Sequence, residues 1–516
     1  MRFAHALLAA GFFTVVFVAA CVGDDPAPSG EGGSSSGSNG ACTDAQKTCN
    51  GTCVSKDDPN AGCATPQCTP CEAATNATPA CKAGGCSFQC NAGFNDCDGD
   101  PKNGCEAKTA DSATNCGACG NACGNANTSA ASKCDQSKCV FTCNAGFAHC
   151  GAKDDSGCET NTKTNADHCG ACGHSCLGGE CKDGKCQAFK LVSMENPTGI
   201  ATDSKHVYIS SIQAATVFRT DHDGKCGGAL ACPEEFASQA KGDAFGDVRG
   251  AAAIATDGTN VYWVAQASSR IFFKPVAGGA ITNRTGVGPQ IAPANGGAPG
   301  TLAIGGGKIW WTNDFAATDP GPHVFKANLD GTGITTAADY ANPAANNDGP
   351  GGLAVDATNV YWGTPSSGLL KAAQNAAKCT EGTNCTSGAG GGTNEVTGVA
   401  VDDTYIYWTQ TSAANANLGE VRRVLKTGGS YSVVATGQDK PKSIVALNGF
   451  VYWANTGSTV PTGASIRRAP SNVAPCAGDA CEKIGDVTKP TGLHAGADGV
   501  YWTDEILAGS VWRIAK

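Results

Sequence analysis

The stretch Lys489-Pro-Thr-Gly-Leu-His-Ala-Gly-Ala-Asp-Gly-Val-Tyr-Trp-Thr-Asp504 places an apolar segment before a turn and an aromatic segment after it. Six looser copies precede it, and the aligned aromatic residues are Tyr208, Tyr262, Trp310, Tyr361, Tyr407, Tyr452 and Tyr501. Their spacing runs from 45 residues (407 to 452) to 54 residues (208 to 262), which suits a four-stranded antiparallel blade with its turns. The repeat therefore predicts a mainly β chain with a seven-bladed β-propeller over residues 188–516.

Each copy continues into a third strand, in which a branched apolar residue is usually followed two positions later by a base, as in Val511-Trp-Arg513. The sequence ends at Lys516, directly after this strand of the last copy, so the last blade lacks a strand there. The segment 188–193 precedes the first copy, at the place where a fourth strand precedes every other copy. We expect this segment to complete the seventh blade, which would close the ring and remove an exposed sheet edge.

The last copy, with its Tyr-Trp-Thr-Asp at residues 501–504, resembles the YWTD propeller repeat of lipoprotein-receptor ectodomains. That family is typically six-bladed, whereas this chain has seven copies and most of them lack the final aspartate. A generic seven-bladed propeller therefore describes the chain better. The tyrosines and tryptophans recur in every blade, while a binding site would be asymmetric, so we interpret them as core residues.

Six cysteines of the propeller region form three close pairs, each after the third strand of its blade: Cys226 with Cys232, Cys379 with Cys385, and Cys476 with Cys481. Each pair is predicted to be a disulfide that staples the loop between strands three and four. The stabilisation of such a short closed loop is modest. All three loops are expected on one side of the disc.

The amino terminus has the pattern of an exported protein. An apolar stretch over residues 6–20 follows Arg2 and is too short for a comfortable membrane span, which predicts a signal peptide at residues 1–20. Its end, Val-Ala-Ala-Cys21, resembles the lipobox of bacterial lipoproteins, in which the cysteine is acylated. The alternative is ordinary cleavage that leaves Cys21 as a spare thiol. Of the 31 cysteines, removal of Cys21 leaves 30, an even number that can pair completely in an oxidising compartment.

Residues 21–41 are rich in Pro, Gly and Ser and predict a flexible, lipid-anchored tether. In the lipoprotein sorting pattern, an aspartate after the cysteine favours retention in the inner membrane. This chain has Val22 at that position, so the resemblance implies the outer membrane, with the protein facing the periplasm or the surface.

Residues 42–187 form a cysteine-rich region with an internal duplication. Eight cysteines recur at an offset of 53 residues, from Cys81 and Cys134 to Cys123 and Cys176, and Gly-Cys-Glu recurs around Cys105 and Cys158. The repeats are predicted at about 42–80, 81–133 and 134–187. The region has too little apolar content for a conventional core, so disulfides must stabilise a loop-dominated fold.

The Cys-Gly-Ala-Cys-Gly segments at Cys116 and Cys169 have a spacing that zinc sites and redox dithiols also use. Export and the lack of a βαβ pattern favour disulfides instead. These segments resemble the CGACG-type repeats in surface proteins of myxobacteria and related bacteria. The resemblance covers residues 42–186 and implies a surface location with little chemistry.

Asp96, Asp98 and Asp100 alternate in one loop, a pattern that suits a hard cation such as calcium. The duplicated copy has His149, Gly151 and Lys153 at the matching positions, which favours a solvated acidic loop. Calcium at the three aspartates is therefore one of two interpretations, and no other cofactor is predicted.

Charge and motifs narrow the classes of function. The formal net charge of -10, with no cluster of bases, argues against nucleic acid as a partner. No G-x-S-x-G, H-E-x-x-H or Walker segment is present, and the propeller has four histidines, none of them paired at ligand spacing: His206, His222, His323 and His494.

Two classes of function remain. The sequence favours a surface-exposed or periplasmic binding protein, with the cysteine-rich region as a stalk and a protein or glycan ligand on the propeller. The alternative is an extracytoplasmic propeller enzyme, lactonase-like or lyase-like, that uses a metal in the central channel. Asymmetric polar residues at a channel mouth would favour the enzyme.

Overall fold

The computed structural model describes residues 42–516 except 65, 67, 152–155, 227–231, 239–250, 266–269, 279–298, 314–322, 340–350, 365–367, 377–378, 381–385, 390–394, 413–414 and 458–462. The predicted signal peptide, Cys21, the tether, Cys385 and the side chain of Cys379 lie outside the described residues. The chain divides into two compact units, Met1–Lys108 and Thr109–Lys516. Within the described ranges, no helix is long and apolar enough to cross a bilayer.

The first unit consists of small antiparallel hairpins joined by disulfides. Its strands are Gln46–Cys49, Thr52–Ser55, Ala77–Lys82, Gly85–Cys90, Phe94–Asn95 and Ala107–Lys108, with a 3-10 turn at Pro59–Ala61. Among its described residues the buried apolar side chains are Cys49, Cys71, Cys105 and Ala107. Its disulfides are Cys42–Cys53, Cys49–Cys68, Cys63–Cys81, Cys71–Cys86 and Cys90–Cys105. Cross-links therefore take the place of a hydrophobic core.

The cysteine-rich part of the second unit repeats this design. Its strands are Lys133–Asp135, Lys138–Val140, Phe147–Ala148, Thr160–Asn161, Cys181–Lys182 and Lys185–Cys186. Its disulfides are Cys116–Cys134, Cys123–Cys139, Cys143–Cys158, Cys150–Cys172, Cys169–Cys181 and Cys176–Cys186.

The Cys-x-x-Cys segments of this region do not hold free dithiols. The two cysteines of the second segment, Cys169 and Cys172, bond to different partners, Cys181 and Cys150. Both cysteines of the first segment are also disulfide-bonded. The structure thus confirms the disulfide interpretation of these segments.

The rest of the second unit is a ring of seven antiparallel blades, which confirms the predicted fold. The strands, from the innermost (strand 1) outward, are Pro197–Thr202, His206–Ser211, Thr216–Asp221 and Glu234–Ser238 in blade 1; Ala251–Thr256, Asn260–Ala265 and Arg270–Pro275 in blade 2; Pro299–Gly305, Lys308–Asn313, His323–Asn328 and Thr335–Asp339 in blade 3; Leu353–Val355, Asn359–Gly363, Leu369–Ala373 and Thr386–Ala389 in blade 4; Glu395–Val401, Tyr405–Ser412, Asn415–Leu425 and Ser432–Gln438 in blade 5; Pro441–Leu447, Phe450–Asn455, Ser465–Pro470 and Glu482–Asp486 in blade 6; Pro490–Ala495, Gly499–Asp504 and Gly509–Ala515 in blade 7.

The fourth strand of blade 7 is Phe189–Met194, which pairs antiparallel with Gly509–Ala515. The first and last propeller segments thus share one sheet, and the ring is closed by backbone hydrogen bonds. We call the side with the turns between strands 1 and 2, and between strands 3 and 4, the hairpin face. The opposite side is the crossover face.

The repeated aromatic residue of each blade is core, as predicted. All seven are at most 3 % exposed. An aspartate in the turn before the tyrosine accepts a hydrogen bond from the tyrosine hydroxyl, so the hydroxyl can be buried with a partner. In blade 5, Asp402 Oδ1 accepts the amides of Thr404 and Tyr405, and Oδ2 accepts the hydroxyl of Tyr407 at 2.6 Å. Blades 1, 2 and 4 repeat this arrangement with Asp203, Asp257 and Asp356.

The base of the third strand connects neighbouring blades. Arg219 donates to Val276 O, Lys326 to Gln374 O, Lys371 to Lys426 O, and Arg513 to His222 O, each time to a carbonyl of the next blade around the ring. These contacts explain why a base recurs two positions after the branched residue. A hydrogen bond from a charged donor is stronger than a neutral one.

The loops between strands 3 and 4 of blades 4 and 6 cover sheet edges of the preceding blades. Cys226 bonds to Cys232, and Cys476 bonds to Cys481. Cys476–Ala477 of the blade 6 loop pairs parallel with the outer strand of blade 5, and Cys379–Thr380 of the blade 4 loop does the same at blade 3. These segments act as fifth strands that hide backbone groups which would otherwise pair with another chain.

The last cysteine-rich residues pack against the hairpin face of the propeller. His174 Nε2 contacts the carbonyl oxygen of Lys516, and Ala515 lies in one buried cluster with Cys169, Cys176 and Cys186. Residues 109–187 therefore lie in the same compact unit as the propeller.

Candidate binding site in the central channel

The innermost strands of the seven blades line a central cavity of about 440 Å³ that opens on the crossover face. Each blade contributes one aliphatic side chain from the same strand position, namely Ile200, Ile254, Leu302, Leu353, Val399, Ile444 and Leu493. The volume lies within the range of small-molecule sites, near its lower end. The sevenfold repeat thus produces a narrow channel with an apolar belt.

Hydroxyl groups surround this belt, but they bond to protein. Ser210 Oγ donates to Ala252 O at 2.6 Å, Thr409 Oγ1 to Lys442 O at 2.6 Å, and Thr503 Oγ1 to Thr198 O at 2.9 Å. In each case the acceptor belongs to the inner strand of the next blade. These hydroxyls join adjacent blades and satisfy backbone carbonyls.

The same carbonyls require glycine on the inner strand. A Cβ added at Gly199, Gly398 or Gly492 would lie 2.2, 2.1 or 2.4 Å from the carbonyl oxygen that the neighbouring hydroxyl bonds. The glycines of the Thr-Gly-Ile, Thr-Gly-Val and Thr-Gly-Leu segments are therefore required, because the inner strand of the neighbouring blade leaves no room for a side chain.

Two lining residues of the channel are titratable, Lys442 and Glu505. The carboxylate of Glu505 is 2.6 Å from Nζ of Lys489, so its charge is compensated. Lys442 is exposed, and within the described chain its ammonium group has no ion pair or hydrogen bond. This asymmetry was missed in the sequence, although alignment of the inner strands would reveal it, because Lys442-Ser-Ile stands where blade 1 has Thr198-Gly-Ile.

His494 does not line the channel, although it lies on an inner strand. Its Nε2 is 3.0 Å from Thr202 Oγ1 of blade 1, so the ring packs between the last and first blades. Burial lowers the pKa of His494 to about 4, against the opposing charge of Asp498. The ring is half-buried, and the lowered pKa leaves it uncharged at neutral pH.

The boundary between blades 7 and 1 carries a charged cluster that joins both ends of the propeller. Asp498 Oδ2 is 2.6 Å from His222 Nδ1 and 2.6 Å from an Arg513 guanidinium nitrogen. His222 Nε2 faces the carbonyl oxygen of Asp203 at 3.0 Å. Both ring nitrogens face acceptors, which suits the doubly protonated imidazolium.

Electrostatics agree with this assignment. The hydrogen bond to Asp498 raises the pKa of His222 despite the opposing effect of burial. Burial acts to raise the pKa of Asp498, but the hydrogen bond from His222 and the charge of Arg513 outweigh it and lower this pKa to about 2. The Arg513 side chain is only 1 % exposed. This cluster is structural, because its charged atoms bond to one another across the ring closure.

The other two propeller histidines are His206 and His323. His206 lies in the blade 1 turn, 3.6 Å from a carboxylate oxygen of Asp203. The side chain of His323 lies outside the described part of the chain. A further cavity of about 570 Å³ on blade 6 borders Arg467, whose guanidinium donates to Gly478 O and Cys481 O and so holds the stapled loop.

The predicted acidic loop is only partly the arrangement expected. Ligand oxygens of Asp96, Asp98 and Glu106 lie within 4.8 Å of one another. Asp100 is not in this group, and its Oδ1 accepts the amide of Lys102. Glu106 was missed as a candidate, although the repeated Gly-Cys-Glu pattern pointed to it.

The duplicated loop has an ion pair at the same place. Glu159, the counterpart of Glu106, lies 3.0 Å from His149 Nδ1. Burial acts to raise the pKa of Glu159, but hydrogen bonds from backbone amides, including those of Cys150 and Gly151, and from His149 lower it to about 2. Calcium at the first loop stays a prediction.

Comparisons with known proteins extend to the fold alone. No family model and no curated protein matches the chain. Among solved structures, a streptogramin B lyase is 14 % identical, with a TM-score of 0.45, and covers 63 % of this chain and 96 % of its own. A catalytically inactive virginiamycin B lyase from Staphylococcus aureus is 15 % identical over 64 % of this chain and 98 % of its own, with a TM-score of 0.45. A gluconolactonase from Xanthomonas campestris is 12 % identical over 64 % of this chain and 89 % of its own, with a TM-score of 0.38.

Proposed function

We propose that this chain is an extracytoplasmic binding protein whose propeller recognises a protein or glycan ligand on its crossover face. One observation carries the proposal. The hairpin face is occupied by the stapled loops and, at blade 7, by the last cysteine-rich residues, whereas the channel opens on the opposite face. Within the second unit, the crossover face, away from these last cysteine-rich residues, is therefore the one available to a ligand.

Chemistry of the channel supports binding over catalysis. Hydrolytic or lyase chemistry on a propeller would need a nucleophile, a general base or several metal ligands that converge on one point. Among the described lining residues, Glu505 is the only carboxylate and there is no histidine, and the hydroxyls described above bond to backbone carbonyls. This lining favours an adhesive or recognition role.

Exposed apolar side chains give the crossover face a contact surface. Leu507, in the loop between strands 2 and 3 of blade 7, is 65 % exposed, and Ile212, at the same place in blade 1, is 37 % exposed. Exposed leucines are common singly. Here two of them flank the boundary between blades next to the channel mouth, which favours a docking role.

The proposal is tested with two charge insertions. Leu507→Asp lies on the crossover face, and Val473→Asp lies in an exposed loop on the hairpin face and is the matched control. Ligands are first found with glycan and peptide microarrays probed with the wild-type chain. We expect Leu507→Asp to weaken binding of the retained ligand at least tenfold and Val473→Asp to leave it unchanged. Equal effects of both variants, or an effect of Val473→Asp alone, would contradict the assigned face.

The enzyme alternative gives a different result in native mass spectrometry before and after chelation, combined with turnover assays on lactone substrates. A chelator-sensitive excess mass that Asp96→Ala abolishes would assign the ion to the acidic loop. An excess mass that survives this substitution, accompanied by metal-dependent turnover, would replace the binding proposal with the enzyme.

We further propose that the chain is anchored in the outer membrane through acylated Cys21. The disulfide content supports an oxidising, extracytoplasmic compartment, and the sequence supplies the lipobox. Metabolic labelling with palmitate should label the wild type and not Cys21→Ser. Val22→Asp is the matched control, because it should retain the label and move the protein to the inner-membrane fraction. A labelled Cys21→Ser protein would disprove this anchor.

A further inference from the structure

One position of the innermost strand, two residues before the aliphatic side chain that lines the channel, differs in a single blade. The seven equivalent residues are Thr198, Ala252, Gly300, Gly351, Thr397, Lys442 and Thr491. Six of them are small and uncharged, and the seventh carries an ammonium group on a long side chain. The position lies at the channel mouth, two residues before the aliphatic belt.

The small polar members of this set are already bonded within the protein. Thr198 Oγ1 contacts Ser210, Thr397 Oγ1 donates to Pro441 O at 2.6 Å, and Thr491 Oγ1 contacts Thr503. Lys442 differs, because its ammonium has no acceptor among the described residues. Its carbonyl oxygen, by contrast, is held by Thr409. The backbone is therefore fixed while the side chain is free at the mouth.

The remaining charge at this mouth does not cancel that of Lys442. Glu505 is bound to Lys489 at 2.6 Å and is largely buried, with 18 % of its side chain exposed. The described lining thus has one uncompensated charge, which is positive, above a belt of seven aliphatic side chains. An ammonium group next to an apolar pocket is complementary to a molecule with one anionic head and an aliphatic tail.

We propose that the channel binds an aliphatic monocarboxylate, with its tail in the belt formed by the seven branched side chains and its carboxylate on Lys442 Nζ. The site rests on the channel geometry and is separate from the macromolecular ligand of the proposed function. A cavity of about 440 Å³ limits the tail to medium length.

The experiment measures binding of decanoate, decan-1-ol and decylamine to the mature, unlipidated chain by isothermal titration calorimetry. We expect decanoate to bind at least tenfold more tightly than the alcohol, and decylamine not to bind. Lys442→Met should weaken decanoate binding at least tenfold and leave the alcohol unaffected, whereas Lys442→Arg should restore most of the affinity. Lys225→Met is the matched control, since it removes an exposed lysine in the loop between strands 3 and 4 of blade 1, on the hairpin face.

Equal affinity of decanoate for the wild type and Lys442→Met would overturn the assignment, as would equal affinity of the wild type for decanoate and decan-1-ol. Failure of this inference is distinguishable from failure of the proposed function. If decanoate does not bind while Leu507→Asp still abolishes binding to the arrays, the channel site is wrong and the recognition face stands. Circular dichroism of each variant separates loss of the site from loss of the fold.

Discussion

We expect Asp498→Ala to lower the free energy of unfolding of the propeller by about 3 kcal/mol, because it removes the carboxylate that accepts from the guanidinium of Arg513 and leaves His222 without its charged partner. Both partners are largely buried, with side chains that are 1 % and 19 % exposed. Removing one member of a buried charged cluster is more costly than removing the whole cluster. The measurement is chemical denaturation followed by tryptophan fluorescence.

Asp402→Ala is the matched control. Asp402 holds the equivalent turn and tyrosine of blade 5, and its contacts with Thr404, Tyr405 and Tyr407 lie within its own blade. We expect a loss of about 1–2 kcal/mol for this variant, from the hydrogen bonds alone. If both variants lose the same stability, the charged contacts between blades 7 and 1 contribute nothing beyond an ordinary turn.

The contribution of the pair has a defined pH window. The pKa of Asp498 is lowered from 3.8 to about 2, so its share is present above pH 3.8 and is lost as the pH falls through about 2. The pKa of His222 is raised above 6.5, so its share is present below pH 6.5 and is lost as the pH rises through the raised value. The difference in Tm between wild type and Asp498→Ala should therefore shrink as the pH rises above 6.5. It should not vanish, because Arg513 keeps its charge.

Reduction of the disulfides is expected to unfold residues 42–108 while the propeller remains folded. The described buried apolar side chains of the first unit are three cysteines and Ala107. These side chains are too few to keep the unit folded once its disulfides are reduced. Its five disulfides above close separations of 11 to 19 residues and each stabilise the fold by about 3 kcal/mol. The propeller disulfides close only 6 and 5 residues, and its blades are held by buried aromatic side chains.

Two readouts separate the parts of the chain. All eight tryptophans lie between residues 263 and 512, so tryptophan emission reports on the propeller alone. Limited proteolysis with mass spectrometry reports on residues 42–108. After reduction and alkylation we expect rapid cleavage in that unit with unchanged emission. A red shift of the emission that accompanies the cleavage would show that the propeller also depends on the cross-links.

Repetition explains what the sequence could predict. Seven aligned aromatics, from Tyr208 to Tyr501, give the blade number directly, because a residue buried in every repeat belongs to the common core. The closing strand was expected at 188–193 and lies at Phe189–Met194. Its identification needed only the count of strands in the last copy.

Contacts between different repeats could not be predicted from the sequence. His222 and Asp498 are 276 positions apart and meet only because the ring closes, so no local spacing joins them. The fifth strands supplied by the stapled loops likewise depend on which blades are neighbours. Lys442 was missed for a different reason: a lysine in a strand is usually a solvent-exposed substitution, and only an alignment of the seven inner strands shows that it stands where the other blades have a small residue.

The order of the disulfides in the first unit also has a mechanical consequence. Successive cross-links overlap along the chain, since each opens before the previous one has closed: Cys42–Cys53, Cys49–Cys68, Cys63–Cys81 and Cys71–Cys86. A tensile load along this segment passes through covalent bonds and not through hydrogen bonds alone. While oxidised, the segment cannot be drawn out to its contour length, and its compliance under force is set by the redox state of its surroundings.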